Sequence, residues 1–278
     1  MSSNLTASAK IRNEETIFLQ DVAVICDPAP LLYYMRINFY IVDPGGNPTA
    51  IVRGVFTKKE KENIARIILI RNKFVEQVGF WSEGNNVSDA TLEMAGGELC
   101  VNALRALAFL VAREQKLRIV KIQTPLIRKP VMLNVAGKKV SVTLSRNLIR
   151  VRGSQVSLPG IIHTCIDRSS LTDSPEDLLK QKKNNKVPAS GVIVYSEIKR
   201  GLLSIDPYVR VEKLDTCFHE SACGSGSIAL ACLYAAKFSI QRCVIIQPSR
   251  SKYDVVVDQD SVTLSATVRS VLEKYVTV

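Results

Sequence analysis

Two stretches of this chain, each opened by a cysteine, constrain its fold more than any other feature. One reads CVNALRALAFL from Cys100, the other CGSGSIALACL from Cys223. With the cysteines superposed, Ala106, Leu107, Ala108 and Leu110 fall on Ala229, Leu230, Ala231 and Leu233. Both stretches are helical in pattern, about Leu99 to Glu114 and Gly224 to Phe238. Both are apolar on nearly every side, so each belongs inside a domain rather than on its surface. They lie less than half the chain apart. This predicts two lobes on one plan, each with strands wrapped around a buried helix.

The rest of the chain is strand-rich. A strand from Met35 to Asp43, a turn at Pro44-Gly45-Gly46 and a strand from Thr49 to Val55 form an opening hairpin. The residues before it, 1–34, are an extension. Thr57 and Glu60 have capping-box spacing and start a helix running to about Asn72. Further strands are expected at 75–81, 90–94, 117–123, 131–135, 139–144, 148–151, 161–166, 191–196, 208–213, 244–247, 253–257, 262–268 and 271–278, with a turn at Gly84-Asn85-Asn86. A short helix begins near Asp173, and a basic loop follows at 182–188. Strand and helix do not alternate strictly, so the fold class is α+β and not a doubly wound parallel sheet. The organisation expected is a first lobe at 35–136, a second at 137–266, and a last strand at 267–278 returning to the first.

Composition narrows the function. No apolar run reaches the roughly 18 residues that cross a bilayer, and no leader pattern is present, so a soluble cytoplasmic protein is expected. The net charge is +11, with a local cluster at Lys180, Lys182, Lys183 and Lys186. Aromatics do not alternate with these lysines as a base-stacking surface requires, so no nucleic-acid partner is expected. The positive field suits an anionic carboxylate substrate. Seven cysteines form no CxxC pair and there are two histidines, so reduced thiols and no metal site are expected. No Gly-rich phosphate loop is present, and no cofactor is expected.

A helix N-terminus lowers a thiol pKa from its usual value near ~8.5. Four backbone N–H groups there also lack helical partners and welcome an anion. Cys100 and Cys223 are thus a matched pair of candidate acid/base groups, while Cys26, Cys165, Cys232 and Cys243 read as small core residues and Cys217 stays open. Two equivalent groups on facing lobes suit inversion of a tetrahedral carbon, one as thiolate and one as thiol. The helix amides would stabilise the charge developing at an α-carboxylate. Gly224, Ser225 and Gly226 would let those amides approach closely, with Asn102 as the polar partner on the other side.

At these residues the chain resembles the diaminopimelate epimerase superfamily, the two-cysteine racemases that need no pyridoxal phosphate. The resemblance covers roughly 35–278 and rests on GGNPTAIV (45–52), EQVGF (76–80), GGELCVNA (96–103), HESACGSGS (219–227) and Gln247-Pro248. Within it the chain looks most like the histidine racemases of staphylopine-type metallophore pathways, which share EQVGF and glutamates at the places of Glu98 and Glu220. The resemblance implies a diaminopimelate epimerase-like fold, an isomerase, a small amino-acid substrate with histidine first, and a possible homodimer. Cys100 and Cys223 would be the acid/base pair. Asn47, Gln77, Val101, Asn102, His163, Glu220, Gly224 and Ser225 would surround the substrate.

Three departures qualify it. Val101 stands where the family has glycine. Leu214 and Asp215 replace the Glu-Arg pair that serves diaminopimelate, and Ile161 replaces an asparagine before the family histidine. Other readings stand beside this one: a diaminopimelate epimerase, a phenazine-biosynthesis-type isomerase working through a glutamate such as Glu76, and an inactive amino-acid-binding relative. Glu98 is expected to be structural. His219 is either a proton partner of Cys223 or a surface imidazole, and Glu76 either a substrate contact or an exposed strand residue.

Overall fold

The computed structural model describes residues 36–181 and 187–278. The expected extension at 1–34, Cys26, and most of the basic loop lie outside the described residues. The first run of elements is β1 (Arg36–Asp43), β2 (Thr49–Arg53), α1 (Lys58–Arg71), β3 (Gln77–Asn85), β4 (Ser88–Met94), α2 (Val101–Gln115), β5 (Ile119–Thr124), β6 (Ile127–Ala136) and β7 (Lys139–Ser145). The second is β8 (Arg150–Arg152), β9 (Gln155–Leu158), β10 (Ile161–Asp167), α3 (Pro175–Gln181), β11 (Ala189–Lys199), β12 (Leu202–Val211), β13 (Thr216–His219), α4 (Gly224–Phe238), β14 (Arg242–Ile246), β15 (Lys252–Val257), β16 (Ser261–Thr267) and β17 (Ser270–Thr277).

The strands form one mixed sheet. From β1 to β7 each strand pairs with the next in the order antiparallel, parallel, antiparallel, parallel, antiparallel, antiparallel. The same order recurs along β9, β10, β11, β12, β14, β15 and β16. In each run a helix bridges each parallel pair, α1 or α3 the first and α2 or α4 the second. Antiparallel pairing of β7 with β16 joins the runs, and β17 lies antiparallel on β1.

Alternating burial in the strands turns one face toward the long helices. Helix α2 packs against β2 to β7, and α4 against β8 to β11 and β14 to β16. Every residue from Val101 to Ala112 and from Gly224 to Tyr234 is buried. Each large apolar side chain so enclosed stabilises the fold by roughly 1.5–3 kcal/mol. Helix α1 has a second, smaller core with Phe39, Ile41, Val78 and Phe80. Its capping box is formed: Thr57 accepts from the Glu60 amide at 3.3 Å, and the Thr57 amide donates to the Glu60 carboxylate at 2.7 Å.

Local reading differs from the structure in three places. Strand β3 runs through Gly84 and Asn85, and the turn falls at Asn86 and Val87, with the amides of Val87 and Ser88 donating to Asn85 Oδ1. Strands β9 and β13 are four residues each, too short for a period to register. Strand β12 begins at Leu202, earlier than expected, and carries Pro207 inside it. Pro207 is tolerated because one edge of β12 changes partner there: β14 pairs with Leu202–Ser204 and β13 with Tyr208–Val211.

Candidate active site

The two helices meet start to start. Cys100 and Cys223 are their N-caps, both in extended backbone. Each sulfur accepts from the amide three residues on, Ala103 at 3.2 Å and Gly226 at 3.3 Å. The close approach depends on Gly224, where an added Cβ would lie 2.9 Å from Asn102 Oδ1 and from Val101 Cβ. Val101, which stands where the family has glycine, packs on the opening turn of α4.

Around the sulfurs the structure gathers the other residues named from sequence. The Cys100 thiol donates to Gln77 Oε1 at 2.6 Å, and Gln77 Nε2 donates to Glu220 Oε1 at 2.9 Å. The second carboxylate oxygen of Glu220, Oε2, is buried with no hydrogen-bond partner, and the charge of this carboxylate raises the Cys223 thiol. Ser225 Oγ lies 3.6 Å from the Cys223 sulfur and 2.9 Å from His163 Nε2. The carboxamides expected at substrate, Asn47 and Asn102, are engaged by protein. Asn47 Nδ2 donates to the Ala222 carbonyl and to Glu76, both at 2.9 Å, and Asn102 Nδ2 donates to the same carbonyl at 3.1 Å. Asn102 Oδ1 accepts from Tyr253 at 3.1 Å and from Arg105 at 3.3 Å.

Burial dominates the electrostatics. It pushes both thiols well above the usual thiol range, Cys100 with help from Glu98 and Glu220, Cys223 with help from Glu220. The lowering expected from the helix starts is present, through the amides of Ala103 and Gly226, but desolvation outweighs it. Burial likewise raises Glu76 to about 7, Glu220 to about 8, and Glu98. It lowers His163 to about 3, which keeps the imidazole neutral. A cavity of about 90 Å³ reaches Cys100 past Glu98, Leu99, Thr124 and Leu126. Among the described residues, no group of three or more His, Cys, Asp or Glu is placed to hold a metal ion, and no helix is long and apolar enough to cross a membrane.

Some roles are settled only by the fold. Glu76 is half-buried and accepts from the Ser221 hydroxyl at 2.5 Å and its amide at 3.2 Å, so it is no exposed strand residue. His219 stands on the surface, stacked on Tyr208 with ring centroids 4.5 Å apart and Asp206 at 3.7 Å. Sequence reasoning missed Gln247, whose Oε1 accepts the Cys223 amide at 2.9 Å and whose Nε2 donates to Ser227 Oγ at 2.9 Å. Its presence in a resembling motif was the only signal. It also missed Arg105, fully buried and donating to the Pro44 carbonyl at 2.7 Å and the Val140 carbonyl at 3.2 Å. A lone arginine inside an apolar helix was the available clue.

The fold defines the class first. Solved structures that share it include a hydroxyproline epimerase from Agrobacterium vitis with bound trans-4-OH-L-proline, with a TM-score of 0.61 at 12% identity over 87% of this chain and 91% of that one. Another is a phenazine biosynthesis protein of the PhzF family from Enterococcus faecalis, with a TM-score of 0.60 at 15% identity over 87% and 100%. A mixed sheet with few helices is thus the frame of epimerases and PhzF-type proteins. The chain itself belongs to the histidine racemase family: the family model described as the histidine racemase CntK N-terminal domain matches residues 36–268. Histidine racemase of Fusobacterium nucleatum subsp. nucleatum is 23% identical over 261 residues, 85% of this chain and 95% of that protein. Membership makes the chain an isomerase of the racemase and epimerase kind.

Proposed function

We propose that this chain inverts the α-carbon of histidine by proton transfer between Cys100 and Cys223, without a cofactor. The observation that carries the reading is the matched pair of sulfurs capping two buried helices that meet at their starts. An α-carboxylate there would accept from the amides of the first turns, Gly224 and Ser225 among them, and share the negative charge that develops as the α-proton leaves. His163 would act on it through Ser225.

Three carboxylates, Glu98 and Glu220 buried and Glu76 half-buried, stand near the two helix starts, and all are raised. A substrate bringing an ammonium and a basic ring would give them cationic partners. The same cation would lower the thiol that faces Glu220, so the base is activated when substrate arrives. These acids favour a basic side chain over an apolar one. Engagement of Glu76 by Ser221 and Asn47 weighs against isomerisation driven by that glutamate.

The frame we read as diaminopimelate epimerase-like: two pseudo-symmetric lobes, 35–136 and 137–266, each wrapped around its long helix, with 267–278 returning to the first lobe. The recurring order of strand pairings supports this. Both sulfurs must be reduced to work, which suits the cytosol.

The test is α-proton exchange followed by NMR in deuterated buffer, with histidine beside lysine, glutamate and diaminopimelate. Histidine is expected to lose its α-proton signal and yield the D form. Cys100→Ser and Cys223→Ser should each cut inversion by about 10³-fold or more, since a hydroxyl is a far weaker acid/base at neutral pH. Full activity in either variant would remove the mechanism, and exchange with another amino acid alone would remove histidine.

A further inference from the structure

The positive charge of this chain is concentrated in one stretch. Residues 116–152 contain ten Lys and Arg and no Asp or Glu. Elsewhere 27 basic residues stand against 26 acidic ones, so this stretch carries nearly the whole net charge of +11.

The fold gathers most of that charge on one surface. Strands β5, β6 and β7 are antiparallel neighbours, with Lys121 opposite Met132 and Met132 opposite Thr143. Val120, Ile122, Leu133 and Val142 turn inward to the core around α2, so their alternating neighbours turn outward. Lys116 and Arg118 lead into β5, which carries Lys121. Arg128 and Lys129 stand early in β6, and Lys138 and Lys139 at the turn into β7. All seven are exposed, and none forms an ion pair among the described residues. Asp89 borders the face from β4, and its carboxylate accepts the Lys121 amide at 2.7 Å. On the other side β16 continues the sheet with Thr263, Ser265 and Thr267, which are uncharged.

Two large apolar side chains are exposed among these cations, Ile119 at 53% and Met132 at 54%. Cations without counter-charges repel one another and stabilise nothing in the folded chain. Their value lies in what they attract. Residues 116–152 contain no Phe, Tyr or Trp, so the face has no ring on which bases could stack, as a single-stranded nucleic-acid groove requires. Apolar side chains set among lysines and arginines match the boundary of an anionic bilayer, where headgroups neutralise the cations and the apolar groups reach the acyl region.

We propose that the outer face of β5, β6 and β7 docks reversibly on an anionic lipid surface, its cations on the headgroups and Ile119 and Met132 between them. The contact is peripheral. It goes beyond the racemase reading and does not depend on it.

The test is sedimentation of the full chain with vesicles of phosphatidylcholine, alone or mixed with phosphatidylglycerol. The chain should pellet with the mixed vesicles only. Binding should weaken by ~10-fold or more at high salt, because screening shortens from about 10 Å at 0.1 M to about 3 Å at 1 M. Each basic residue at such a surface contributes roughly fivefold, so a Lys121→Glu, Lys129→Glu, Lys139→Glu variant should bind ~100-fold more weakly or worse. Met132→Ser should lose ~5-fold or more. A control variant, Lys58→Glu, Lys59→Glu, Lys73→Glu, reverses as many exposed charges on and beside α1 and should bind within ~3-fold of the parent. All these positions are exposed, so circular dichroism should show parental unfolding midpoints. Failure to bind mixed vesicles, equal binding to phosphatidylcholine alone, or an equal loss in the α1 control would each overturn the proposal. Capture by duplex RNA while the vesicles leave the chain in solution would also overturn it, and would assign the face to nucleic acid.

Discussion

Desolvation sets the protonation of the individual groups, and its consequences can be followed with pH. The native chain keeps Glu76 protonated to about 7 and Glu220 to about 8, whereas an unfolded carboxyl ionises near 4.5. Between those limits the native state binds more protons, so stability falls as pH rises. His163 acts in the opposite sense. Held at about 3 instead of 6.5, it resists protonation, so its contribution is lost as pH falls through that range. Among these groups only the carboxylates act between about pH 6.5 and 8. The urea midpoint should decline across that window, and Glu220→Gln should flatten the decline. A midpoint that rises with pH there would show that Glu220 is ionised in the native state.

The two long helices carry the site because they are apolar all round and yet open onto polar ground. Their starts are also their most constrained points. Gly224→Ala would drive a methyl group against Asn102 and Val101. Overpacking of this kind costs about 1–3 kcal/mol. The fold should survive, with a lowered midpoint, while the two sulfurs are forced apart and inversion falls more steeply than stability. An unaffected rate would mean that the approach of the helix starts is irrelevant to chemistry. Helix α4 matches the range read from sequence and α2 lies within two residues of it, because their composition leaves few alternatives. Strands β9, β13 and the first half of β12 were not legible, since four-residue strands and a strand crossing Pro207 depend on partners far along the chain.

For the whole molecule, the decisive contact is between the two runs of strands. Three side chains of the first run fasten the loop that precedes Cys223: Glu76 on Ser221, and Asn47 and Asn102 on the Ala222 carbonyl. They fix where the second sulfur stands relative to the first. Asn47→Ala leaves part of this arrangement without a donor, at roughly 1–3 kcal/mol for buried groups. Amide hydrogen exchange should then quicken at Ser221 to Cys223, while α2 stays protected because its core is untouched. Unchanged exchange would place the fastening elsewhere.

By itself the sequence determined the two buried helices, the cysteine at the head of each, and the family, because all three reside in short runs of residues whose meaning is local. It also named most of the polar groups that surround the sulfurs. Only the tertiary structure decided what those groups do. Asn47 and Asn102 face a carbonyl from the other run, Glu76 holds Ser221, Gln77 bridges a thiol and a carboxylate, and Gln247 and Arg105 are buried in the site's support. A hydrogen bond or a desolvated charge is a property of two distant segments brought together, and that juxtaposition is set by the pairing of the sheet and not by either segment alone.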